Sequence, residues 1–236
     1  VRSTWRTLDS VLLRDVTAVA LGAAVNGASF GAIAVGSGLP WWMPLVMSVL
    51  IFAGGAQFMA VGIVASGGSP MTAVLGGLIL NSRHLPFGLA IGDVLGRSWL
   101  ARIVGSHLMI DESVAFALNQ KDPAKARAAY WACGVSLFVM WNAGVTAGAL
   151  VGQAIGDPMA FGLDAAFPAA LLALTLPALK DVKTRQAAGL GALIALATTP
   201  FLPPGLPILL ALGGLVVYAN KANKAQKEEK VAEPCP

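Results

Sequence analysis

The sequence predicts an all-α integral membrane protein, a polytopic bundle of seven or eight transmembrane helices, and three observations carry that expectation. The 236 residues are 56% hydrophobic and only 12% charged, whereas an ordinary soluble domain is about 25% charged. Apolar runs such as 45–63 and 190–198 are continuous, which argues against a barrel of alternating strands about ten residues long. Lys and Arg gather in short clusters between these runs, so the formal charge of +4 reads as a topology signal and not as a nucleic-acid surface.

Taken in order, hydropathy and Gly/Pro punctuation place spans near 16–37, 41–66, 70–94, 100–120, 127–153, 159–179, 184–200 and 204–220. A helical crossing of the roughly 30 Å hydrocarbon core needs about 20 apolar residues. The last two runs are short and are separated by Pro203, Pro204 and Gly205, so a bent hairpin there would reduce eight crossings to seven. The first 15 residues carry Arg2, Arg6, Asp9, Arg14 and Asp15 with no small-residue cleavage pattern after the first span, and no removable signal peptide is expected. Residues 1–220 form a single transmembrane domain and 221–236 a polar cytoplasmic tail.

Positive residues cluster at the N-terminus, at Lys121, Lys125 and Arg127, at Lys180, Lys183 and Arg185, and in the tail. With eight spans all four clusters share one side, which the positive-inside rule makes the cytoplasm. Both termini are therefore expected inside, in the cell membrane. Arg97 and Arg102 fall on the opposite side in this arrangement, a conflict that a re-entrant segment between residues 70 and 120 would remove.

Asn26-Gly27, Gly31-Ala32 and Pro40 resemble Asn142, Gly144, Gly148-Ala149 and Pro158 at a spacing of 116 to 118 residues, and 73–79 resembles 188–194 at 115. Two structural repeats, about 16–120 and 127–220, would account for this, as would chance likeness between Gly- and Ala-rich helices; both readings stay open. Gly27 and Gly31, Gly88 and Gly92, and Gly144, Gly148 and Gly152 are each four apart, the spacing that lets helices approach closely in lipid. Trp41, Trp42 and Trp99 read as interfacial anchors on the outer side. Trp141 lies mid-span, where packing and substrate contact are equal alternatives. Cys133, in an apolar run, and Cys235, in the tail, are expected as free thiols.

Polar groups recur at the midpoint of five runs: Asn26, Gln57, Asn81 to His84, Asp111 with Glu112, and Asn142. A charge at the bilayer centre costs about 2.5–3.5 kcal/mol on insertion scales, so Arg83, Asp111 and Glu112 must face one another, a polar partner or a wet cavity. Pro86 removes the amide that would bond the Ser82 carbonyl, which predicts a kinked or broken helix near 81–86. Freed backbone groups beside Arg83 suit a carboxylate, which Arg holds by two parallel hydrogen bonds. An Arg83–Asp111 ion pair that only sets helix register is the bland alternative. His107 and Asp111, four apart, should share a helix face with Glu112 about 100° away. Asp164 is expected to line an entrance. Depth and chemistry thus nominate Asn26, Gln57, Asn81, Arg83 and Asn142 for substrate binding, and His84, Asp111 and Glu112 for proton coupling. No HExxH, GxSxG, Walker loop or CxxC pair is present, so neither an enzyme nor a cofactor or metal site is expected.

Phe52-Ala-Gly-Gly-Ala-Gln-Phe58, then Leu80-Asn-Ser-Arg-His-Leu-Pro-Phe-Gly88, then Asp111-Glu112, resembles the AzlC family of branched-chain amino-acid permeases, the LIV exporter family. The resemblance is strongest from Gly27 to Glu112, and the second half matches mainly in hydropathy. The motif residues carried over are Gln57, Asn81, Arg83, His84 and Asp111. The resemblance implies export of branched-chain amino acids, with methionine in some members, driven by the proton gradient and assisted by a small AzlD-like membrane subunit of about four spans. A channel-like facilitator and a non-transporting membrane scaffold are the competing readings.

Overall fold

A computed structural model describes residues 10–96, 98–154, 172, 176, 178–202 and 206–214. The expectations for Asp164, Arg97, Cys235, the 159–179 span and the tail fall almost wholly outside these residues. Among those described, every regular element is helical. Two helices run long and uninterrupted, α1 (Ser10–Gly36) and α8 (Pro123–Ala154), about 40 and 48 Å at 1.5 Å per residue. Between them lie six short ones: α2 (Trp42–Leu50), α3 (Gly54–Ala65), α4 (Pro70–Asn81), α5 (His84–Leu95), α6 (Trp99–His107) and α7 (Asp111–Leu118). Beyond the 3₁₀ turn Ala178–Lys180 come α9 (Val182–Thr198) and α10 (Leu206–Ala211).

The starts of several helices are written in the sequence as caps. The Ser69 hydroxyl accepts from the Thr72 amide with Pro70 at the first helical position, Ser98 does the same for Ala101, and Asp181 accepts from Thr184 at 2.7 Å. Each satisfies an amide that the helix itself cannot.

The spine of the molecule is the α1·α8 pair. A Cβ built on Gly27 would lie 2.5 Å from the Trp141 carbonyl oxygen, and one on Gly31 would strike that of Val145. In return, Gly144 lies against the Ala24 carbonyl and Gly148 against that of Ala28. Shifting each residue by 117 exchanges these pairs with one another, so the two helices run parallel and pack reciprocally. Glycine is required here because backbone meets backbone. Gly88 and Gly92 behave differently. A Cβ on Gly88 would meet only the Met109 methyl at 3.8 Å, and one on Gly92 would meet nothing within 4 Å, so the expected close helix contact is not made there.

The remaining helices correct the expected run of crossings. Ser48 bonds Asn142 and Phe52 packs on Phe138, so α2 descends antiparallel to α8 from the end where α1 finishes and stops halfway. The chain then turns through Ile51–Ala53 and goes back. Gly54 meets the Trp141 ring, Gly55 faces Leu80, and Gly76 faces Met59 and Ile63, which sets α3 antiparallel to α4. The α4–α5 pair instead runs on from the α3–α4 turn to the end where α8 begins. It is bent by 49° at Ser82–Arg83, as Pro86 predicts; the Ser82 carbonyl accepts instead from the Leu85 amide at 3.1 Å.

At the far end Gly96 (φ +105) lies against the Arg127 guanidinium, while Arg102 donates to the Gly96 carbonyl at 3.3 Å. From there α6 climbs past Tyr130, whose hydroxyl donates to the Gly105 carbonyl at 2.7 Å, to Leu108 against Gly134. Then α7 returns, and four residues connect it to the start of α8.

Residues 41–66 and 100–120 are thus two folded-back pairs entering from opposite ends, and not two crossings. Their arms of 8 to 12 residues span only about 12–18 Å. By length and composition, α1 and α8 are the two described helices that can each cross a membrane, and the bent α4–α5 pair makes a third where its two arms count as one span. Arg102 consequently shares an end with Arg14, Lys121, Lys125 and Arg127, which removes the conflict at Arg102. Trp99 lies at that same end, opposite Trp41 and Trp42 and not beside them. His107 and Asp111 do not share a helix face, because residues 108–110 interrupt the helix between them.

Candidate functional site

The three interruptions, at Ile51–Ala53, Ser82–Arg83 and Leu108–Ile110, meet at the middle of the α1·α8 spine and enclose a cavity of about 510 Å³. Val19, Gly22, Ala23 and Asn26 of α1 form one side. Phe52 to Gly55 and Phe58 form the second, and Leu137 and Trp141 of α8 the third. Arg83, Ile110, Asp111 and Glu112 complete the lining. The volume lies within the range of about 300–1,000 Å³ usual for small-molecule sites.

The polar side is built around one ion pair. Arg83 Nη1 donates to Asp111 Oδ2 at 2.7 Å, and the two side chains keep 40% and 47% of their surface exposed. Glu112 beside them forms no ion pair among the described residues. Asp111 and Glu112 occupy the first turn of α7, where the partial positive charge of the helix start favours a carboxylate. Ser113 holds that start in place: its hydroxyl accepts from the Ile110 amide at 3.0 Å and donates to the Leu108 and Ile110 carbonyls.

On the other side, α3 begins at Gly54 with no side-chain cap. Its first turn and Arg83 both offer positive electrostatic potential to the same space.

The apolar wall is aromatic. The Trp141 ring stacks on Phe30 at 6.2 Å between centroids, and Phe58 meets both rings edge-on at 5.4 and 6.5 Å. A Cβ on Gly54 would stand 2.7 Å from the far edge of the Trp141 ring, so glycine there is what admits the ring. Trp141 therefore both packs and lines the cavity, and its Nε1 has no hydrogen-bond partner among the described residues.

Asn26, Arg83, Asp111 and Glu112, four of the residues nominated from sequence, come together on the lining. Four others lie off it. Gln57 is 1% exposed, and neither end of its amide has a hydrogen-bond partner among the described residues. Asn81 Oδ1 is likewise buried without one. The His84 Nδ1 lies 2.9 Å from the Asn81 carbonyl and its ring meets Phe87. Asn142 is committed to the protein: Oδ1 accepts from Ser48 and Nδ2 donates to the Phe138 carbonyl, both at 2.8 Å.

Sequence reasoning missed the Ile51–Ala53 and Leu108–Ile110 interruptions. Gly54-Gly55 and the Asp111-Glu112 first turn are the signals that could have found them. Cys133 is a buried free thiol.

A helical membrane protein with broken helices around a central, charged and aromatic cavity is the class that fold and site define. The AzlC protein family profile matches residues 18–155, and the chain belongs to that family. It is 28% identical over 214 residues to the branched-chain amino acid transport protein AzlC of Bacillus subtilis, covering 85% of this chain and 81% of that one. It is 25% identical over 197 residues to an uncharacterized membrane protein of Helicobacter pylori, covering 82% and 86%. A membrane protein of Haemophilus influenzae is 24% identical over 55% of this chain. No solved structure matches.

Proposed function

We propose that the chain is a secondary transporter that exports branched-chain amino acids across the cell membrane, coupled to the proton gradient and working with a small hydrophobic partner subunit. One observation carries this reading: an Arg–Asp pair half open to a central cavity whose other walls are Phe52, Phe58, Ile110, Leu137 and Trp141. A small apolar amino acid has that combination of features. Arg83 and the α3 start take its carboxylate, Asp111 and Glu112 take its ammonium, and the aromatic wall takes its side chain. Asn26 contacts the bound substrate directly. Gln57 and the Asn81 Oδ1 are buried polar groups beside the site with no partner among the described residues, and Asn142 fixes α2 against α8. His84, Asp111 and Glu112 are the groups assigned to proton movement.

The arrangement suits alternating access, in which a site at half depth is reached from each side in turn and is formed by discontinuous helices. The reciprocal α1·α8 packing supports a duplication of the parallel kind, its axis running along the two helices. Arg14, Arg102, Lys121, Lys125 and Arg127 at one end support a cytoplasmic assignment for that end.

Counterflow of labelled leucine, isoleucine, valine and methionine in proteoliposomes, with and without a pH gradient, tests the reading. Leucine accumulates against its gradient, as a channel cannot achieve, and Arg83→Ala abolishes flux while the protein still inserts. Flux at the wild-type rate in Arg83→Ala would remove the carboxylate clamp. Reconstitution with and without a small four-span membrane protein encoded beside this chain tests the partner.

A further inference from the structure

Arg83 stands at the bend of the α4–α5 pair, and Asp111 is the first residue of α7, at the turn of the α6–α7 hairpin. Their 2.7 Å contact joins two separate elements, whereas the other described ion pair, Arg14–Asp15, joins chain neighbours. Apart from this pair the turn is held largely by apolar contact: Leu108 on Gly134 and in one cluster with Cys133 and Leu137, Met109 against Gly88, and the His107 ring between Phe52 and Phe138. The outer face of α6 carries Trp99, Leu100, Ile103 and Val104 exposed, and Gly105 is its one buried residue. One charge pair thus ties the turn of this hairpin to the bend of the α4–α5 pair, while the α7 arm packs on α8 through Val114, Ala117 and Tyr130 and the α6 arm is held to α8 by the Tyr130 hydroxyl on the Gly105 carbonyl.

We infer that the Arg83–Asp111 pair is a latch on the α6–α7 hairpin, and that only a zwitterion opens it. The inference rests on the transporter reading above and adds to it a chemical requirement and a moving part. Separating the pair with nothing in its place would leave an arginine and a carboxylate at mid-membrane depth with solvent in the half-open cavity as their sole partner, in place of a direct charged contact.

A zwitterion replaces both partners at once: its carboxylate takes Arg83, and its ammonium takes Asp111 with Glu112 alongside. A ligand with one charge replaces one partner and strands the other. Because the separated state gains two contacts with a zwitterion and the latched state does not, binding shifts the population toward the separated state. The turn of the hairpin is then free to leave α8, and Leu108 uncovers Cys133.

Cys133 reports the motion without an introduced probe. In a Cys235→Ser chain reconstituted in vesicles it is the single thiol, and its rate of modification by N-ethylmaleimide is the readout. Leucine and valine raise the rate several-fold, while isoamylamine and isocaproate, the two halves of the charge requirement, leave it unchanged when given singly. Asp111→Asn labels fast without ligand, and the Arg83→Asp/Asp111→Arg exchange restores slow labelling, which separates an open latch from a misfolded chain.

Labelling that stays slow in Asp111→Asn, or a half-molecule as effective as leucine, overturns the inference. Leucine counterflow with no change at Cys133 also overturns it while leaving the transport reading standing. Fast labelling with leucine in the absence of any leucine flux supports the latch and defeats the transport reading instead.

Discussion

The rings of Phe52 and His107 stand 6.4 Å apart at the centre of the molecule, although the chain carries them there from opposite ends. Phe52 lies at the turn of the α2–α3 hairpin and His107 closes the first arm of α6–α7. This meeting of two folded-back segments distinguishes the fold from a bundle of full crossings, and it fixes which connecting loops share a side.

Labelling of single cysteines checks that arrangement directly. In a chain lacking Cys133 and Cys235, Gly68→Cys, in the α3–α4 turn, reacts with an impermeant maleimide from the same side as Trp41→Cys. Trp99→Cys, at the start of α6, reacts from the side of Lys121→Cys. Full crossings at 41–66 and 100–120 would invert both results, placing residue 68 with residue 121 and residue 99 with residue 41.

Gly148 and Gly92 are both helical glycines in a four-residue glycine spacing, yet opposite outcomes are expected on substitution. Gly148→Ala drives a methyl into the Ala28 backbone, which cannot swing aside as a side chain would, so the cost reaches at least the roughly 1–3 kcal/mol of an overpacked core. Gly92→Ala meets nothing within 4 Å and gains up to about 1 kcal/mol in helix propensity. Thermal denaturation in detergent should lower the midpoint for the first and hold or raise it for the second.

Much of this was legible in the residues, and the errors share one cause. Hydropathy locates the midpoint of an apolar run, and that midpoint sits at half depth whether the run crosses or folds back on itself. Asn26, Arg83, Asp111 and Glu112 therefore share one cavity lining, as their common depth predicts, while hydropathy alone does not tell the two hairpins from spans. The break at 81–86 was readable because Pro86 removes a specific hydrogen bond. Gly54-Gly55 and Asp111-Glu112 act through helix starts, which an apolar window averages away. Asn142 was nominated by depth alone, and depth cannot tell an amide facing a cavity from one already occupied by Ser48 and the Phe138 carbonyl.

Asp181 makes the start of α9 sensitive to acid. Hydrogen bonds from the Thr184 amide and hydroxyl hold its carboxyl below the usual range. A folded-state value lowered in this way gives stability that is fully present above the unfolded value of about 3.9 and is lost as pH falls through the folded one. Amide exchange at residues 182–184 should be faster in Asp181→Ala than in the parent at neutral pH, and the difference should shrink in strong acid. A difference independent of pH would mean that the cap acts without its charge.

Gln57 gives the sharpest separation of stability from function. Its side chain is 1% exposed, and neither its oxygen nor its nitrogen meets a partner among the described residues, a state that costs roughly 1–3 kcal/mol per stranded group. A group kept at such a cost beside the cavity is expected to be used when substrate or a moving hairpin brings a partner to it. Gln57→Leu, close in volume and without the polar atoms, should raise the thermal midpoint while slowing leucine counterflow. A variant that is more stable and transports at the parent rate would reduce Gln57 to an idle buried amide, and one that is less stable would show that the amide has found a partner within the fold.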